Sequence, residues 1–154
     1  MGSSYKISCK KCNYTKCFKI GIGMMYSPQN LGDFESKFAI LPHLIRSRTV
    51  IAYIKKLMRD RGAEIADGYG HKIYRCKKCG EFYERFFIHL DYDGESFEVD
   101  YKCTKCKSVL EIIDYDIKGR CGGQENEMDF AKYRCPKCGE HSLYKERAMM
   151  TMWD

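Results

Sequence analysis

Four C-x-x-C pairs constrain this chain more than any other feature. They are "CKKC" at Cys9 and Cys12, "CKKC" at Cys76 and Cys79, "CTKC" at Cys103 and Cys106, and "CPKC" at Cys135 and Cys138. A C-x-x-C turn aims two sulfurs at one point, and backbone N–H groups of the turn can donate to them. Lysine stands inside every pair, which favours thiolate and offsets its charge. Gly80 and Gly139 follow two of the pairs and relieve the tight turn at a left-handed position. Two such knuckles supply four sulfurs in a tetrahedron, the closed arrangement of a structural zinc site. Two zinc ions are therefore expected, with these eight cysteines as ligands. A redox dithiol would call for one C-x-x-C on a βαβ pattern, not four on strands.

The chain has 154 residues, enough for one ordinary domain or two small ones. Tyr and Phe occur 12 and 8 times and mean hydropathy is −0.52, so thin cores that need staples are expected. No apolar run reaches the roughly 18 residues of a membrane span. "MGSSYKISCK" has no apolar signal-like stretch. A reducing cytoplasmic setting is expected, where paired cysteines serve metals more often than disulfides.

Strand periodicity bears on the pairing of the knuckles. "FYERFFIHLDY" alternates Phe86, Ile88, Leu90 and Tyr92, and "SFEVDYK" alternates Phe97, Val99 and Tyr101. Asp93-Gly94 between them is a tight-turn signal, predicting a hairpin over 81–102. That hairpin would bring 76/79 and 103/106 to one end and leave 9/12 to meet 135/138. A sequential scheme, 9/12 with 76/79 and 103/106 with 135/138, stays open, because closure entropy barely separates the two. Cys17 reads as a buried inert thiol on a strand and Cys121 as an incidental loop cysteine.

Residues 27–62 change character. Ser27-Pro28 is a good N-cap and N1 pair for a first helix. A second helix is predicted from Pro42 to Gly62, a suitable C′ residue. Leu44, Val50, Ile51, Ile54, Leu57 and Met58 share one face; Arg48, Lys55, Lys56 and Arg59 share another. Residues 1–62 carry a net charge of +9 and residues 63–154 a net of −3. Two four-thiolate zinc sites would lower the formal +6 to +2, so only the local basic face argues for an acidic partner. Arg48, Lys55, Lys56 and Arg59 are thus the candidate contacts with nucleic acid or a protein partner. The organisation expected is 1–26 as first knuckle and strand, 27–62 as helical insertion, 63–118 as central ribbon, and 119–154 as loop, last knuckle and C-terminal strand.

The segment "CKKCGEFYERFFIHLDYDGESFEVDYKCTKCKSVLEII" resembles the zinc-ribbon superfamily, in particular the ribbons of transcript-cleavage factors and small RNA polymerase subunits. The resemblance lies in cysteine spacing and covers about a quarter of the chain. It implies a small, metal-stapled α+β fold: antiparallel zinc-ribbon sheets with a helical insertion. It also implies work on nucleic acid or with a nucleic-acid enzyme. In the cleavage factors an acidic pair on the hairpin tip reaches a polymerase active site. Here Asp91, Asp93 and Glu95 lack that motif's arginine-rich context, and Asp-Gly explains itself as turn chemistry. "CPKCG" is similar to rubredoxin knuckles, which would imply iron and electron transfer through 103/106 with 135/138. However, "CTKCKSVL" lacks the rubredoxin pattern.

His43, His71, His89 and His141 are scattered and form no paired metal motif, and the aromatics near basic residues read first as mini-core. Met-rich "GIGMM" and "AMMTMWD" read as flexible core filling. No Walker loop, Rossmann fingerprint or nucleophile elbow occurs. A closed four-sulfur site has no room for water, so no enzyme activity and no small-molecule substrate are expected. The expected function is a zinc-binding module for nucleic acid or a nucleic-acid enzyme. A protein–protein adaptor or regulator and an electron carrier are the alternatives.

Overall fold

A computed structural model describes residues 2–113, 129–146 and the backbone strand 151–153; Cys121 and most of the C-terminal methionine run lie outside the described residues. The chain opens with β1 (Gly2–Cys9) and β2 (Thr15–Gly21), paired antiparallel around the first knuckle. In β2, Phe18 and Ile20 point into the core while Cys17 and Lys19 point out. Cys17 is therefore exposed, not buried: strand alternation puts it on the face opposite Phe18.

The insertion is more broken than its sequence suggests. Helix α1 (Pro28–Gly32) is capped by Ser27, whose side chain accepts from the Asn30 N–H, but it ends after five residues. The predicted second helix divides into α2 (Leu41–Leu44) and α3 (Arg48–Arg61). Ile45 is extended and buried, and Ser47 restarts the helix by accepting from the Val50 N–H. Gly62 closes α3 in the left-handed conformation, as read from the sequence. Met24 and Met25 are exposed instead of filling the core.

After the short β3 (Glu64–Ile65), β4 (Gly70–Cys76) and β5 (Phe82–Phe87) pair around the second knuckle. The predicted 81–102 hairpin does not form as one ladder. Its first strand divides at Ile88: β5 is committed along its whole length to β4. Only β6 (His89–Tyr92) turns back on β7 (Glu95–Glu98), which stops before Val99. The Asp93-Gly94 turn itself forms, with both residues at positive φ. β6 also pairs β3, giving a separate three-stranded sheet. The last strands are β8 (Leu110–Ile112), β9 (Leu143–Lys145) and β10 (Thr151–Trp153), with a 3-10 turn at Phe130–Lys132 before β9.

The main sheet runs β10-β1-β2-β4-β5, with β9 also on β1 and β8 also on β4. It contains the same ribbon twice. Ile7↔Lys16 and Ser8↔Thr15 flank the first knuckle; Tyr74↔Tyr83 and Arg75↔Phe82 flank the second in the same register. The third strands match as well, with Cys9↔Leu143 and Cys76↔Leu110. The two ribbons join where β2 meets β4, at Gly21↔His71. Gly70, at φ +148°, sits against that joint, and a Cβ there would lie 2.8 Å from the Gly21 carbonyl oxygen.

Burial crosses this division. Tyr5, Ile7, Phe18 and Leu143 of the outer ribbon share one core with Ile73 and Phe82 of the central one. Tyr74, Tyr83 and Leu110 pack beside the central knuckles. Leu31, Leu41, Ile54, Leu57, Ile88 and Leu90 form a third core that docks the insertion on the small sheet.

Candidate metal centres

Each knuckle is built the same way. The Cys9 N–H donates to the Tyr14 carbonyl, Cys76 to Glu81, Cys103 to Ser108 and Cys135 to Glu140, so every leading cysteine closes its own turn. Gly80 and Gly139 take the positive φ that ends two of these turns; Lys107 takes it in a third. Tertiary pairing then brings the knuckles together in twos. Cys9, Cys12, Cys135 and Cys138 form one group; Cys76, Cys79, Cys103 and Cys106 form the other. In each, the four sulfurs lie within 4.8 Å of one another. This is the nested scheme, and the 103/106 with 135/138 combination that a rubredoxin-like centre needs is not assembled.

Sulfur separations are 3.6 Å for Cys9–Cys138 and Cys12–Cys135, 3.3 Å for Cys76–Cys106 and 3.5 Å for Cys79–Cys103. A tetrahedron with metal–sulfur bonds of about 2.3 Å has edges of roughly 3.8 Å. Disulfide sulfurs would lie about 2.05 Å apart. The groups therefore fit a four-coordinate cation. No histidine and neither Cys17 nor a carboxylate belongs to either group.

The surroundings favour thiolate at some of these cysteines and oppose it at others. Burial raises the Cys9 thiol, but hydrogen bonds from Ser142, at 3.0 Å, and from backbone N–H groups outweigh it and hold the thiol at about 6. Burial likewise opposes ionisation of Cys103, yet Tyr83 Oη at 3.2 Å and backbone N–H groups bring it to about 6. Burial and the adjacent sulfurs push Cys79 up to about 11. A divalent cation would relieve that crowding and draw all four into thiolate form.

One residue that the sequence did not flag ties the two centres together. Glu81, just beyond the second knuckle, is buried. Its carboxylate accepts from Tyr14 Oη at 2.7 Å, Lys16 Nζ at 3.4 Å, Lys105 Nζ at 2.7 Å and the Phe82 N–H at 3.1 Å. Tyr14 and Lys16 belong to the outer ribbon; Lys105 lies inside the "CTKC" knuckle of the central one. Burial alone would raise the Glu81 carboxyl, but Lys105 and Tyr14 hold it down to about 2. Nothing local in "CGEF" announces this role, because Glu81 is buried only once the ribbons join.

The other candidates fall as follows. Arg48, Lys55, Lys56 and Arg59 are exposed on α3; Arg59 pairs with Asp60 at 2.8 Å, and Lys55 lies over the Phe34 ring. The acidic hairpin tip is not free: Arg61 Nε contacts Asp93 at 2.7 Å and its Nη2 contacts Glu95 at 3.2 Å. No helix among the described residues is long and apolar enough to cross a membrane.

Comparison with known proteins gives one consistent likeness. The chain is 43% identical over 47 residues to the DNA-directed RNA polymerase subunit Rpo12 of Methanosarcina acetivorans, and equally to those of Methanosarcina mazei and Methanosarcina barkeri. The shared stretch is 30% of this chain and 73% of each relative. No protein-family model matches, and no solved structure matches.

Proposed function

As a member, through that stretch, of the family of the DNA-directed RNA polymerase subunit Rpo12, this chain is one that we propose to be a zinc-stapled, non-catalytic module of a nucleic-acid enzyme assembly of the RNA polymerase kind. The observation that carries this reading is 43% identity to a polymerase subunit in a chain that folds as two joined ribbons. Zinc is the proposed occupant of both centres. Four sulfurs at each suit its softness and tetrahedral preference, and they complete its coordination without water. That closed coordination supports a scaffold in place of metal catalysis. The pairing of Asp93 and Glu95 with Arg61 also leaves the hairpin tip poorly suited to hold a catalytic metal. The proposed location is the cytoplasm, alongside the polymerase.

The test combines metal analysis with assembly. Protein purified without added metal should give two zinc ions per chain by elemental mass spectrometry, and no visible absorption band. Mixed with DNA-directed RNA polymerase from its own cell, it should co-elute on size exclusion and appear in the native mass spectrum. Iron with charge-transfer bands would replace this reading by electron transfer. Two zinc ions with no association to polymerase would leave an adaptor for another partner.

A further inference from the structure

The basic surface of this protein is not a plain helix face. A cleft of about 600 Å³ opens where His43, Arg46 and Val50 of the insertion face Arg85, Phe86 and Tyr101 of the central ribbon. A second recess, of about 220 Å³, lies between Pro42, Arg46, Arg48, Ile51 and Lys55. Ile45 and Arg46 line both, so the two recesses adjoin at Arg46.

Cations outnumber acids in this groove. The smaller recess holds three cations and no acid. In the larger one, Glu84 is engaged by His71 at 3.0 Å and by the Lys19 N–H at 2.6 Å, which leaves Asp100 as the opposing acid. Arg85 is held in place, stacked 5.0 Å over the Tyr83 ring and donating to the Glu84 carbonyl at 2.7 Å. Arg46 and Arg48 are exposed, and their side chains take part in no hydrogen bond or ion pair among the described residues. Arg85, Arg46, Arg48 and Lys55 thus form a run of cations from ribbon to helix.

We propose that this groove binds single-stranded nucleic acid, with Arg46 contacting phosphate at the junction of the two recesses. The site rests on the reading above for the class of its ligand. A duplex is read by an element that projects into its grooves, the major one about 12 Å wide. A recess of this size is concave and instead admits one strand, whose phosphates meet the cations while a base lies against the exposed His43 or the part-exposed Tyr101. Lys56 and Arg59, further along α3, lie outside both recesses.

The test uses the zinc-loaded full chain and fluorescence anisotropy with a twelve-nucleotide oligo-dT, the matching oligo-U and a duplex of equal length. Either single strand should bind at least about tenfold tighter than the duplex, given the shape of the groove. With four phosphate contacts, log K should fall with log salt at a slope of about −3, a roughly fifty-fold loss between 50 and 200 mM. Arg46→Gln should shrink that slope by about 0.7 at unchanged zinc content, whereas Lys132→Gln on the outer ribbon should not. Equal or tighter duplex binding, equal displacement by polyglutamate, no binding at low salt, or an Arg46→Gln variant indistinguishable from Lys132→Gln would each overturn the proposal. Loss of strand binding with polymerase association intact removes the groove alone. Intact strand binding without polymerase association removes the assembly reading instead.

Discussion

The two ribbons have the same register, the same knuckle hydrogen bonds and the same four-sulfur geometry, yet the chain closes them differently. In the central ribbon 23 residues separate Cys79 from Cys103; in the outer one 122 separate Cys12 from Cys135. Closure entropy grows only with the logarithm of loop length, so the outer site costs about 1.5 kcal/mol more to close in an unfolded chain. Once the central ribbon and insertion are folded, much of that separation is already spanned. The dependence is therefore unequal: the outer ribbon needs the central one more than the reverse. β4 is the structural reason, since it pairs with β2, β5 and β8.

The sharpest way to break this comparison is to remove central ligands. Cys76→Ser with Cys103→Ser should abolish metal at both sites and the cooperative unfolding transition, since each structural zinc contributes about 10–16 kcal/mol of apparent binding energy. One zinc per chain remaining by elemental mass spectrometry would show the outer ribbon to be self-sufficient. Cys9→Ser with Cys138→Ser should do less: one zinc stays, and hydrogen exchange speeds up in β1 and β9 while β4 and β5 keep their protection. If that variant also loses both ions, the dependence is mutual.

Glu81 sharpens the comparison at the next scale. Glu81→Ala leaves Lys16 and Lys105 without their shared carboxylate and should cost about 2–3 kcal/mol in denaturant unfolding, the partial exposure of both lysines keeping it below a fully buried pair. Chelator-driven zinc release should then separate into two phases. A single unchanged phase would mean that the shared carboxylate does not couple the centres. At the backbone joint, Gly70→Ala should cost about 1–3 kcal/mol through its positive φ and the Gly21 carbonyl, with zinc stoichiometry unchanged. A drop to one zinc would place the joint inside the metal-binding unit.

Much of this was legible in order along the chain. C-x-x-C spacing names the ligands because a knuckle is a local turn, and the Asp93-Gly94 turn and the Ser27 cap are local for the same reason. The Pro42–Gly62 periodicity located α3 but not the break at Ile45. Apolar spacing cannot tell a continuous helix from two segments feeding one core. The 81–102 hairpin is shortened to β6 and β7 because period-2 alternation predicts a strand without naming its partner, and β5 found a longer partner in β4.

The sequence by itself therefore determined the eight sulfurs, the strand character around them and the basic run on α3, each a property of residues a few positions apart. Tertiary structure alone decided which knuckles meet, that two ribbons share one sheet, that Glu81 is buried between them, and that Arg46 and Arg85 line one cleft. Those are contacts between segments far apart in the chain, set by which surfaces pack, and loop entropy varies too weakly with length to reveal them beforehand.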